Sequence, residues 1–144
     1  MLQDDGVIGP HLDYKGRIGA QFLTNNDGDH GDHCAGIIFG AGNKDPKAKG
    51  NAFGADLYVY SFSPNYPGFA AIPTVYNSLG IRVTSASYGQ GCNEGYNSLT
   101  RTLDQQVRTF PSLMHVFSAG NSGTENCGYG AGAGWGNITG GHKI

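Results

Sequence analysis

Apolar positions along the chain fall into short runs separated by stretches rich in glycine, asparagine and proline. Gly54-Ala55-Asp56-Leu57-Tyr58-Val59-Tyr60-Ser61-Phe62 is rich in aromatic and branched residues and predicts a strand. Ile81 to Ser87 and Leu113 to Ser118 predict two more. Between these two, Leu99, Leu103, Val107 and Phe110 recur at helical spacing and predict a helix from about Tyr96 to Phe110. Phe69 to Leu79 also suits a helix, its start limited by Pro73 and its end set by Gly80. Further upstream, Asn25-Asn26-Asp27-Gly28-Asp29 predicts a turn, and Cys34 to Phe39 continues it as a buried helix. A strand, a helix and another strand in succession form a βαβ unit. The expected class is therefore α/β, a mostly parallel sheet with helices on its faces and ligands bound beyond the carboxyl ends of the strands.

Composition narrows the reading. The chain has 144 residues, 38% of them hydrophobic and 14% charged, enough for one domain over 1–144 with one core. Its 25 glycines imply many tight turns and close backbone approaches. A net charge of −2 without a basic cluster argues against a nucleic-acid partner. No apolar run reaches the length of a membrane span. The start, Met1-Leu2-Gln3-Asp4, has neither the basic residues nor the apolar run of a signal peptide. The motifs begin at Asp4 and an apolar segment starts at the end, His142-Lys143-Ile144, so the expectation is a piece of a longer chain, truncated on its C-terminal side.

The candidate chemistry centres on Asp29-His30-Gly31-Asp32-His33-Cys34-Ala35-Gly36. A histidine in the first turn of a buried helix is held rigidly at a surface opening. The positive end of the helix dipole would favour its neutral form, as a general base requires. His33 lies one turn on, on nearly the same face, and is expected to be structural; Cys34 is expected to be a small buried side chain close behind His30. The competing chemistry is a metal site: His30 and His33 with the flanking Asp29 and Asp32 could ligate zinc, although the Glu of His-Glu-x-x-His is missing.

His30-Gly31-Asp32-His33-Cys34-Ala35-Gly36 resembles the His-Gly-Thr-His-Val-Ala-Gly motif of the subtilisin-like serine peptidases, with Asp32 for Thr and Cys34 for Val. Asp4-Asp5-Gly6-Val7 resembles the family's Asp-Thr/Ser-Gly-Val/Ile, with Asp5 in the Thr/Ser place. Val116-Phe117-Ser118-Ala119-Gly120-Asn121-Ser122-Gly123 resembles Val-x-Ala-Ala-Gly-Asn-x-Gly, and the three stretches occur in the family's order. The resemblance covers nearly the whole chain and implies a three-layer α/β peptidase domain. It assigns the catalytic aspartate to Asp4, the base to His30 and the oxyanion-binding amide to Asn121, with Ala119 and Gly120 beside it. Ser87, Tyr88 and Gly89 resemble the segment whose backbone pairs with an extended peptide substrate. The nucleophile's Gly-Thr-Ser-Met-Ala is not in the sequence, so the isolated chain is expected to be inactive.

The resemblance implies a protein or peptide substrate, no required cofactor and secretion; structural calcium is common in the family but has no assigned residues here. Cys34 against the site would confer sensitivity to mercurials. Cys92 and Cys127 each follow a strand-end motif, and are either a disulfide of an oxidising compartment or two thiols. A relative keeping the fold as a non-catalytic binding module is the other functional class.

Overall fold

The computed structural model describes residues 1–5, 8–22, 28–61, 68–88 and 96–121. The chain forms two compact units, Met1–Ala70 and Ala71–Ile144.

The first unit contains β1 (Leu2–Asp4), β2 (Ile18–Phe22), α1 (His30–Phe39) and β3 (Leu57–Ser61). β3 lies in the middle and pairs in parallel with both other strands. Leu2 faces Val59 and Asp4 faces Ser61 across one pairing; Ile18 faces Leu57 across the other. β3 was legible as a strand. β2 was not, because Ile18-Gly19-Ala20-Gln21-Phe22 has too few branched residues to stand out, and its register slips between Ile18 and Ala20. A side chain at Gly19 would run into the Tyr58 ring on β3, which explains the small residue there.

The core of this unit gathers Leu2, Ile8, Tyr14, Cys34, Ala35, Phe39, Leu57 and Val59. α1 is less buried than its apolar sequence suggests: Phe39 is enclosed but Ile37 is 55% exposed. Before β2, Leu12–Tyr14 forms one 3-10 turn, started by His11, whose Nδ1 accepts from Asp13 N at 3.2 Å. Arg17 then donates to the carbonyls of Asp13, Phe39 and Ala55, tying that turn to the end of α1 and the approach to β3. The buried Asp13 carboxylate accepts from the amides of Gly42 and Asn43 at 3.2 and 2.9 Å. The Gln21 side chain holds Ile8 by both backbone groups, at 2.8 and 3.1 Å. Much of the wall around α1 is therefore irregular chain whose polar groups are paired by side chains.

The second unit contains α2 (Ile72–Leu79), β4 (Val83–Ala86), α3 (Ser98–Thr109) and β5 (Met114–Phe117). α2 ends as expected: Gly80 takes a left-handed conformation, φ 69°, and its N–H bonds Val75 O. Asn97 caps α3, accepting from Leu99 N and Thr100 N, while Thr100 answers through its hydroxyl. The apolar stripe expected on α3 is only partly used: Leu103 is buried, but Val107 is exposed, and Thr100 and Gln106 take the other buried places. β4 and β5 pair in parallel, Val83 opposite Met114 and Ala86 opposite Phe117. The βαβ reading of this half therefore holds, and all the described strand pairs are parallel. No helix among the described residues is long and apolar enough to cross a membrane.

Candidate active site

β1 ends on Asp4. Its side chain is 1% exposed, an expensive place for a carboxylate unless it is paired. Asp4 Oδ1 accepts from Asp5 N at 2.9 Å and lies 2.7 Å from His30 Nδ1. His30 is the first residue of α1, and half of its side chain is open to solvent, 51%. With Nδ1 committed to Asp4, Nε2 is the ring nitrogen left for chemistry.

Asp4 holds the imidazole's basicity above its usual value, first by the hydrogen bond and then by its charge; Asp5 and Asp29 add to this, and burial opposes it. This corrects the expectation that the helix dipole keeps His30 neutral. The N-terminal partial charge is real, but a full carboxylate charge in hydrogen-bond contact outweighs it. The sign for stability follows. The Asp4–imidazolium contact contributes fully below about pH 6.5, the ordinary histidine value, and its contribution is lost as pH rises through the higher folded value. His115 on β5 behaves in the opposite way: burial depresses it to about 4 while its Nδ1 lies 2.7 Å from Thr84 Oγ1. Its contribution is complete above about pH 6.5 and lost as pH falls through about 4. An NMR titration of the ring protons should show one histidine above the ordinary value and one near 4.

Cys34 sits one helical turn beyond His30, buried, with Sγ 3.7 Å from Nδ1, where the sequence put it. Asp4, His30 and Cys34 bring a carboxylate, an imidazole and a thiol within 4.8 Å of one another. His33, named with Asp29 and Asp32 as a possible zinc site, is not in that grouping; it is exposed and borders a cavity of about 500 Å³ with His11, Tyr14 and Lys47. Within that grouping Asp4 and His30 are in hydrogen-bond contact, with the thiol beside the ring.

Two carboxylates that depart from the family's motifs, one of them Asp32, also offered as a zinc ligand, accept backbone hydrogen bonds. Asp5 Oδ1 accepts from Gly31 N at 2.7 Å, and Asp32 Oδ1 accepts from Gly9 N at 2.8 Å. Asp29, the residue at the N-cap place of α1, makes no capping bond with its own side chain, so Asp5 caps the helix from outside. Gly31 has to be small: a Cβ there would strike the Asp5 carbonyl oxygen.

In the second unit, Ser87 and Tyr88 follow β4 and are half-buried; Ala119, Gly120 and Asn121 follow β5 and are exposed, Gly120 with φ 85°. Both stretches thus lie at the carboxyl ends of parallel strands, as the sequence placed them. Gly89, Cys92 and Cys127 lie outside the described residues.

A family model described as the subtilase family matches residues 2–140 of the chain. No curated protein and no solved structure matches it.

Proposed function

The chain belongs to the subtilase family, a family of serine peptidases with a three-layer α/β fold, and from that membership we propose that it supplies the aspartate, the histidine and the oxyanion amide of a serine endopeptidase. The observation that carries this reading is the 2.7 Å contact between a buried carboxylate and the inner nitrogen of a half-exposed imidazole. A serine hydroxyl is a weak nucleophile until a base takes its proton. His30 Nε2 takes that proton as the oxygen attacks a peptide carbonyl, then returns it to the leaving amine. Asp4 keeps the proton of the ring on Nδ1 and stabilises the imidazolium. Asn121 donates to the oxyanion; its amide is neutral and cannot be titrated away. Ser87, Tyr88 and Gly89 align the substrate as an added strand, with Ala119 and Gly120 leading to the oxyanion donor.

The nucleophile comes from polypeptide outside these residues, because none of the serines present stands in a Gly-Thr-Ser-Met-Ala context. The substrate is a protein or peptide outside the cell, and no cofactor takes part in the bond cleavage. The 144-residue chain is therefore expected to hydrolyse no peptide and to take up no serine-directed phosphonate. Mass spectrometry after phosphonate treatment checks this. A specific adduct on any of its serines would overturn the assignment of the nucleophile. A longer protein in which no such serine follows would make this a binding module instead.

A further inference from the structure

The two aspartates that depart from the family's hydroxyl residues act on the same junction from opposite sides. Asp5, in the loop after Asp4, reaches forward to the amide of Gly31 in the first turn of α1, at 2.7 Å. Asp32, in that first turn, reaches back to the amide of Gly9 in the loop, at 2.8 Å. Each bond spans more than twenty positions of sequence, and together they cross between the segment carrying Asp4 and the segment carrying His30. The loop is held elsewhere as well, Ile8 by Gln21 and the Asp5 amide by Asp4 itself. A serine or threonine could accept one such N–H. A carboxylate does so with a full charge, which makes the bond shorter and stronger and also favours the helix N-terminus.

We propose that Asp5 and Asp32 are positioning residues, a reciprocal clamp that fixes the first turn of α1 on the loop after β1 and so sets the Asp4–His30 contact. The functional consequence rests on the peptidase reading; the clamp itself does not. Among the described residues, His30 is touched by Asp4 from β1 and Cys34 from the helix itself, and feels the charges of Asp5 from the following loop and Asp29 from the turn before the helix. Three of the four are carboxylates, and no Lys or Arg of the described residues makes an ion pair with any of them. A family member with a hydroxyl in place of Asp5 lacks one of these charges. The Asp5 charge, besides anchoring the helix, adds in a lesser degree to the basicity that Asp4 gives His30.

The test uses the chain as it is and needs no hydrolysis, so its outcome is independent of the serine-labelling result. Asp5→Asn keeps an oxygen for the Gly31 amide but removes the charge; Asp5→Ala removes both. The Asn variant is expected to retain hydrogen-exchange protection at Gly31 while His30 titrates at lower pH than in the unmodified chain. The Ala variant is expected to lose that protection about tenfold or more. Asp32→Ala should do the same at Gly9, and Asp32→Asn should restore it. An unchanged His30 titration in Asp5→Asn overturns the electrostatic part. Unchanged protection at Gly31 or Gly9 in the alanine variants overturns the clamp. Should Asp5→Ala fail to fold, Asp5→Asn and Asp32→Ala still decide between these outcomes.

Discussion

Replacing Asp4 with Asn is expected to lower kcat about ten-thousandfold in a peptidase that contains this chain together with its nucleophilic serine. Asp4 Oδ1 stands between two donors, the Asp5 amide at 2.9 Å and His30 Nδ1 at 2.7 Å. An amide side chain can meet only part of that demand. If its oxygen stays with the Asp5 amide, its NH2 turns toward the ring and forces Nδ1 to accept, so the proton moves to Nε2. The nitrogen that should take the serine's proton is then already protonated. If the oxygen instead serves both donors, the tautomer survives but the counter-charge for the imidazolium is gone. KM should move little, because a side chain that is 1% exposed offers no surface to a substrate. Steady-state kinetics on the pair of proteins checks this, and a fall of less than tenfold would remove Asp4 from the triad. In the isolated chain the same change should bring the His30 titration down, since Asp4 is the largest contributor to its raised basicity.

The meeting of Asp4 with His30 was legible because the motifs that carry them depend on residue type and chain order, and both survive translation into a string of letters. Cys34 was legible for a geometric reason, since a residue four positions on in a helix stacks behind the first. The clamp was not legible. Asp5 and Asp32 look in sequence like imperfect copies of hydroxyl residues, and nothing local indicates that each reaches an amide more than twenty positions away. The basicity of His30 was read with the wrong sign for a related reason. A helix dipole can be inferred from a local pattern, whereas a carboxylate that folding brings alongside cannot be weighed until the fold is known. On α3, Thr100 and Gln106 are buried while Val107 is exposed; capping chemistry and local packing rotate the buried stripe away from the most apolar letters. Strand β2 was missed because parallel pairing beside β3 stabilises a segment with weak strand propensity of its own.

Gly31→Val should destabilise the first unit by about 3–5 kcal/mol, the sum of steric overpacking and of a lost charge-assisted hydrogen bond. The added Cβ would meet the backbone oxygen of Asp5, which cannot withdraw like the end of a flexible side chain. Behind that oxygen the chain is fixed: the Asp5 amide bonds the Asp4 carboxylate, and Asp4 sits in register with Ser61 on β3. The helix would have to retreat instead, stretching the 2.7 Å bond from Gly31 N to Asp5 Oδ1 and carrying His30 away from Asp4. Domains of this size are stable by only about 5–15 kcal/mol, so the loss is a large share of the total. Chemical denaturation measures it, and His30 should in parallel titrate nearer the ordinary histidine value of about 6.5. Gly31→Ala isolates the effect of the Cβ itself, because it adds that atom without the branched methyls that a helix tolerates poorly. A valine variant within about half a kcal/mol of the parent would mean that the loop after β1 yields freely. The rigid junction that holds the carboxylate against the imidazole would then not be what orients His30.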